Sequence, residues 1–248
     1  MTLMPSPVAP HEGGVDVVLE ALVHGRLRVH AQPIVCLRTG RTMCEELLVR
    51  VAEGADEVLP DGFLDAAEDS GLIPVIDRNL TDCAAMLAAA GRPVNVNISA
   101  ATIADPSFIE HVTGAVRRHD SDPRLITFEI TETAAIADLA AARRLAERLV
   151  ACGFGLALDD FGSGWGALRY LKHLPVGALK IDREFIHDLR ASGRGSRLVL
   201  AVVALAGVFG YETIAEGVED EETLNALRAL GVDCAQGFHI APPSPVGR

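Results

Sequence analysis

From residue 93 onward the chain repeats one unit, a short apolar run ended by a polar or charged side chain and followed by a helical stretch. The runs are Pro93 to Ile98, Leu125 to Ile130, Phe154 to Leu158, Ala178 to Ile181, Glu212 to Ala215 and Asp233 to Ala235. Between them, as in the helix predicted over Ala134 to Cys152, apolar residues recur at about the 3.6 spacing of a helix. Strand and helix units repeated in this way predict a parallel sheet, and this many in one chain predict closure into a barrel. Upstream, Leu27 to Leu37 reads as a strand, Thr39-Gly40 as a turn and Met43 to Val51 as a second strand. A joint that tight requires antiparallel pairing. Pro60 opens a predicted helix that Gly71 closes, and Pro74 opens another that runs to Gly91. A short helix is expected from Val15 to His24, ended by Gly25. Residues 1–14, rich in Pro and Gly and without periodicity, read as a flexible lead-in to a single domain over 15–248.

The length of 248 residues is too great for a minimal domain and about right for one α/β barrel. With 49% hydrophobic and 23% charged residues there is material for a core, which excludes global disorder. A mean hydropathy of +0.26 raises the question of a membrane. The longest apolar run, Leu198 to Phe209, falls short of the ~20 residues a spanning helix needs, and is expected as a helix buried inside a soluble fold. Residues 1–25 hold no Lys or Arg and no apolar block ahead of a small-residue cleavage site, so no secretory signal is expected and the cytoplasm is the expected location. Twenty-two Lys and Arg against 34 Asp and Glu give a net charge of −12, which argues against a duplex-binding surface. An anionic substrate stays open if metal ions carry the positive charge. The five cysteines, Cys36, Cys44, Cys83, Cys152 and Cys234, are odd in number and form no CxxC pair, so neither a disulfide framework nor a structural zinc site is expected. They read as small buried hydrophobes.

The polar residues that end the strands point to chemistry. Asn97, Glu129, Asp159-Asp160, Lys180, Glu216 and Gln236 each follow an apolar run, and Glu46 lies within the second early strand. In a barrel of parallel strands such ends converge on one rim, where the active sites of that fold lie. Two carboxylates about 4 Å apart repel by roughly 4 kcal/mol at an effective dielectric near 20. A rim holding Glu46, Glu129, Asp159, Asp160 and Glu216 therefore needs protons or divalent cations. Carboxylates with one amide oxygen are hard ligands that suit Mg²⁺ or Mn²⁺ better than zinc. Adjacent Asp159 and Asp160 could let one residue bridge two ions, the arrangement used for in-line attack on phosphate esters. Arg50 could hold a phosphate oxygen, or be one half of a surface ion pair. His30, His173 and His239 read as core or rim histidines.

The residues also match a known pattern. The stretch from about Val15 to Pro245 closely resembles the EAL family of cyclic diguanylate phosphodiesterases. The signature tripeptide stands as Glu46-Leu47-Leu48, with Leu47 in place of Ala. Around it are QPIV at Gln32 to Val35, VNVNIS at Val94 to Ser99, FEITE at Phe128 to Glu132 and LALDDFGSG at Leu156 to Gly164. LKID at Leu179 to Asp182, TIAEGVED at Thr213 to Asp220 and AQGF at Ala235 to Phe238 complete the series. So many ordered strings are far more specific than a lone motif.

The resemblance implies a TIM-like (β/α)8 barrel whose first strand is antiparallel, and hydrolysis of bis-(3′-5′)-cyclic dimeric GMP (cyclic di-GMP) to linear pGpG. It implies Glu46, Asn97, Glu129 and Asp159 as ligands of one ion, Asp159 and Asp160 as ligands of a second, and Glu216 as a metal-binding residue nearby, directly or through water. Lys180 matches the lysine that orients the attacking water. Glu219 and Gln236 match supporting groups of the catalytic centre, while Gln32, Leu48 and Arg50, with Gln236 beside them, match positions that hold the substrate. Glu132 matches the glutamate that fixes the loop after Asp160, a loop linked in the family to dimerisation, so a homodimer is a further expectation. The chain departs from the family's DDFGTGYSSL in reading DDFGSGWGAL, with Trp165, Gly166 and Ala167 at the altered positions. Two other readings stand beside active hydrolysis: a catalytically silent cyclic di-GMP receptor, and an unrelated metal-dependent barrel enzyme. The first usually lacks a ligand or the lysine, whereas all are present here. The second would not need the LKID and AEGVE strings together.

Overall fold

The alternation of the sequence becomes a ring of strands in the computed structural model, which describes residues 14–54, 56–162, 171–191 and 193–247. In chain order the strands are β1 (Leu27–Cys36), β2 (Thr42–Glu53), β3 (Asp56–Val58), β4 (Val94–Asn97) and β5 (Ile126–Thr131). Then come β6 (Gly155–Phe161), β7 (Ala178–Ile181), β8 (Glu212–Ala215), β9 (Cys234–Ala235) and β10 (Ser244–Pro245). Strands β2, β4, β5, β6, β7, β8 and β9 pair in that order, each parallel to the next. Strand β1 lies antiparallel between β9 and β2 and closes the barrel. The fold is thus the TIM-like barrel with an antiparallel first strand. Short β3 and β10 extend β2 and β1 beyond the ring.

Around the strands, the described residues form helices α1 (Gly14–Val23), α2 (Leu64–Asp69), α3 (Ile73–Ala89), α4 (Ala100–Ile103) and α5 (Phe108–His119). The chain continues with α6 (Glu132–Ala137), α7 (Leu139–Ala151), α8 (Arg183–Ala191), α9 (Gly193–Phe209) and α10 (Glu221–Leu230). The core lies between these helices and the outer face of the barrel. Fully buried Phe128 meets Phe108 of α5 edge-on at 5.7 Å and Phe154 at 5.5 Å. Strand side chains alternate, so the neighbour of Phe128, Glu129, turns to the barrel interior.

Several local expectations give way to side-chain demands. The helix predicted from Pro60 to Gly71 is a 3₁₀ turn (Pro60–Gly62) and then α2, because the backbone leaves helical geometry at Phe63 (φ −148°), whose ring is buried. The helix predicted over Ala134 to Cys152 begins earlier and is two helices. Asp138 leaves the helical conformation and its carboxylate accepts a hydrogen bond from the Ala141 amide, so it starts α7 instead of continuing α6. The run Leu198 to Phe209 forms most of α9 but is not buried throughout, since Leu200 and Val208 are 51% and 79% exposed. Of the cysteines only Cys234 is fully buried, and Cys152 is exposed. No described helix is long and apolar enough to cross a membrane. Gly14, the last residue of the expected lead-in, opens α1 instead; residues 1–13 and the Trp165-Gly166-Ala167 substitutions lie outside the described residues.

Candidate active site at the carboxyl rim of the barrel

The rim residues are delivered by seven different strands. Glu46 comes from β2, Asn97 from β4, Glu129 from β5, Asp159 and Asp160 from β6, Lys180 from β7, Glu216 from the residue after β8 and Gln236 from the residue after β9. The adjacent aspartates need a special backbone, because successive strand residues otherwise face opposite ways. Here the β6–β7 register shifts between Leu158 and Phe161, and Asp160 adopts φ +52°. This bulge turns both carboxylates to one side. Asp159 accepts the Asp160 amide at 2.9 Å, and single oxygens of Asp159, Asp160 and Glu216 lie within 4.8 Å of one another.

Lys180 stands at the centre, 1% exposed. Its Nζ lies 2.6 Å from Glu129, 2.8 Å from Glu216, 3.2 Å from Asp159 and 3.4 Å from Glu46. One ammonium therefore faces four carboxylates, and Asp160 stands beside them. Burial by itself would pull Lys180 down, but the charges of Glu129, Glu216, Glu46 and Asp159 hold its pKa well above the ordinary ammonium value. Glu129 is pushed well above the usual carboxylate range by burial and then by the charges of Glu46 and Asp159, against the pull of Lys180. Burial also lifts Glu216, to about 8, with Asp159 and Glu46 adding to it. Asp160 is raised by burial and by its neighbour Asp159. Glu46 stays below its ordinary value: burial opposes this, but Lys180 and hydrogen bonds from Gln236 and Asn97 prevail. The rim thus holds more negative charge than its one lysine balances, and it is built entirely of hard oxygen donors, so the residues present fit divalent cations.

A polar belt fixes these side chains. Gln236 donates to Gln32 at 2.8 Å and to Glu46 at 2.7 Å, and Asn97 donates to Glu46 at 2.7 Å. Gln32 in turn donates to the Ala241 carbonyl at 3.0 Å. Asn95, which the sequence reading missed, is buried and donates to Glu129 at 2.7 Å. Its signal was present, since Asn95 and Asn97 alternate on one face of β4. Asp77 was also missed; it accepts from the Ser99 amide and hydroxyl and from the Thr102 hydroxyl, and so anchors the chain just after β4. Two buried oxygens, Gln236 Oε1 and Glu132 Oε1, have no hydrogen-bond partner among the described residues.

The remaining predicted residues spread outward. Leu48 lines a cleft of about 490 Å³ that opens beside Asn97, Asp159 and Asp160 and runs over Leu47, Pro60 and Leu64. That volume lies within the range of small-ligand sites. Arg50 is buried two residues further along β2, where it donates to the Val49 carbonyl and feels the charges of Glu57, Asp61 and Glu46. Glu132, 2% exposed, accepts the Gly162 amide at 3.3 Å, immediately after β6. Glu219 is exposed, with no hydrogen bond to the cluster among the described residues. His30 is buried against Glu57 at 2.9 Å and stays outside the rim.

The chain and its fold have counterparts among known proteins. Residues 16–243 match the EAL domain. The chain is 36% identical over 234 residues to the bifunctional diguanylate cyclase/cyclic di-GMP phosphodiesterase MucR of Pseudomonas aeruginosa, covering 91% of this chain and 34% of MucR. It is 32% identical over 235 residues to the cyclic di-GMP phosphodiesterase RocR of the same organism, covering 92% of this chain and 60% of RocR. The chain therefore spans only part of the length of these relatives. Among solved structures, the PaMucR phosphodiesterase in complex with c-di-GMP superposes with a TM-score of 0.89 at 34% identity, covering 94% of this chain and 98% of that one. The FimX EAL domain from Pseudomonas aeruginosa bound to c-di-GMP gives 0.88 at 27% identity, covering 93% and 96%.

Proposed function

The chain belongs to the EAL domain family, and on that premise we propose that it hydrolyses one phosphodiester of cyclic di-GMP to give linear pGpG, using two divalent ions, Mg²⁺ or Mn²⁺. The observation that carries this reading is the single buried lysine set among carboxylates from four strand ends, beside a cleft of ligand size. Glu46, Asn97, Glu129 and Asp159 would hold one ion, and Asp159 with Asp160 the other, with Glu216 close by. Bound there, such ions would supply positive charge at the phosphate and lower the pKa of a coordinated water.

The chain's own residues do the rest. Glu46 is oriented by Asn97 and Gln236, and Glu129 by Asn95, so the ligand oxygens are fixed before substrate arrives. Lys180 is held protonated by its neighbours and keeps a positive charge at the reacting phosphate, where it orients the attacking water. Gln32, Leu48, Arg50 and Gln236 form the substrate wall, and the buried Gln236 Oε1 keeps an unused acceptor beside Glu46. Glu219 acts as a supporting group from outside the cluster. Glu132 fixes the turn at Gly162, and that face is where we place a homodimer contact. The five free thiols and a nucleotide substrate suit a reducing cytoplasm.

Incubation of the chain with cyclic di-GMP and Mg²⁺ or Mn²⁺, followed by anion-exchange chromatography, tests the proposal. A pGpG peak from the wild type, absent with Glu46→Ala, is expected. Intact substrate that still binds in calorimetry would favour the receptor reading, and absence of binding would remove cyclic di-GMP altogether.

A further inference from the structure

At the end of the barrel opposite the carboxylates, three cysteines come together that no step of the proposed hydrolysis uses. Cys234 of β9 belongs to a buried cluster with Ile34 and Ile214, and Cys36 and Cys44 pack against it. Cys36 and Cys234 are direct partners across the antiparallel β1–β9 pair. The Leu37 amide donates to the Asp233 carbonyl at 2.8 Å, so the Cys36–Cys234 pair, one residue along, occupies the position that exchanges no backbone hydrogen bonds. At such positions Cα atoms stand about 4.5 Å apart and the side chains are closest. That spacing falls within the range a disulfide spans without backbone movement. Cys44, by contrast, faces Ile34 across β1 and β2, and its strand does not pair with β9.

We propose that Cys36 and Cys234 form a reversible cross-strand disulfide, a redox modification site in the floor of the barrel, with a small hydroperoxide as oxidant. A cavity of about 890 Å³ gives access, lined by both cysteines together with Arg38, Arg41 and Arg228. Hydrogen bonds from the Thr39 hydroxyl and the turn amides, with the Arg38 charge, lower the Cys36 pKa, so Cys36 is the attacking sulfur. Burial pushes Cys234 up to about 12, so it waits as a thiol. In the first step the Cys36 sulfur attacks the O–O bond, an S–O bond forms, and the leaving alkoxide or hydroxide takes a proton. In the second, the Cys234 sulfur displaces the hydroxyl of the Cys36 sulfenic acid, its thiol proton leaving with that hydroxyl as water. Two thiols and one hydroperoxide thus give one disulfide, one alcohol (or water) and one water, and a dithiol reductant restores both thiols.

The site rests on the fold and not on the proposed hydrolysis, so its test needs no substrate. The chain is treated with a small excess of hydrogen peroxide, alkylated, digested without reductant and mapped by mass spectrometry. A cross-linked peptide pair joining Cys36 to Cys234, lost after dithiothreitol, is expected from the wild type and from Cys44→Ser, and absent from Cys36→Ser. The oxidised wild type should also melt above its reduced form, because the bond closes a long loop, and Cys36→Ser should show no such rise. A Cys36–Cys44 link, a chain-to-chain link, or Cys36 carried to sulfinic acid with Cys234 still free would each overturn the proposal.

Discussion

Replacing Lys180 with Met tests the electrostatic reading of the rim without its chemistry. Met keeps the length and the apolar stem but removes the only ammonium among Glu46, Glu129, Asp159 and Glu216, which lie 2.6 to 3.4 Å from it. Removing one partner of a buried ion pair costs about 3–5 kcal/mol, because the charge left behind has lost its compensation. Glu129 and Glu216 are already raised and can take up protons, which limits the loss and places it near about 3 kcal/mol at neutral pH. For a chain of this size that corresponds to a melting temperature lower by roughly 6–12 °C. Divalent cations offset the same repulsion from outside, so adding Mg²⁺ should raise the melting temperature of Lys180→Met by more than that of the wild type. Thermal unfolding of both proteins in EDTA and in Mg²⁺ reads this directly. Equal stability in EDTA, or equal stabilisation by Mg²⁺, would refute the reasoning.

The remaining predictions concern single groups. In the metal-free chain, Glu216 titrates near 8 against an ordinary 4.5, so its contribution to stability is full below 4.5 and lost as pH rises through 8, at up to about 1.4 kcal/mol per unit; urea unfolding in EDTA at stepped pH should show the decline, and a rise over that window would contradict it. Asp160→Gly relieves a left-handed backbone at φ +52° and one carboxylate repulsion, so it should stabilise the metal-free chain by about 1 kcal/mol while abolishing turnover; chemical unfolding paired with the pGpG assay measures both. Asp138→Ala removes the cap on the Ala141 amide and should cost about 1 kcal/mol in urea unfolding with turnover retained. Gly162→Ala would drive its Cβ into the Phe185 ring at a left-handed φ of +109°, so circular dichroism should show a lower melting point and the assay a lower turnover.

The parts of this account legible in the sequence are those set by period and by covalent neighbours. A parallel strand buried on both faces is mostly apolar, so its rim announces itself where a charged residue closes the apolar run, as at Glu129, Lys180 and Glu216. The tight Thr39-Gly40 turn was enough to make β1 antiparallel. Features that depend on distant partners were not legible. The insertion of β1 between β9 and β2 depends on pairing across most of the chain's length. The break at Asp138 reflects a side chain competing for the backbone inside an otherwise continuous helical period, and the break at Phe63 reflects the demand to bury one ring. Adjacent Asp159 and Asp160 could be read as shared ligands, but the bulge and left-handed Asp160 that bring them to one side could not. Asn95 was visible only as one half of an alternation, and its partner Glu129 lies on the next strand.

The most direct test of the central claim follows turnover against metal occupancy. Metal-free chain is titrated with Mn²⁺ at saturating cyclic di-GMP, free Mn²⁺ is counted by paramagnetic resonance and pGpG by chromatography. The account predicts that two ions bind per chain, that pGpG forms only as the second site fills, and that Asp159→Asn, which weakens both sites, releases ions and product together. Full turnover at one ion per chain, or in EDTA, would contradict it.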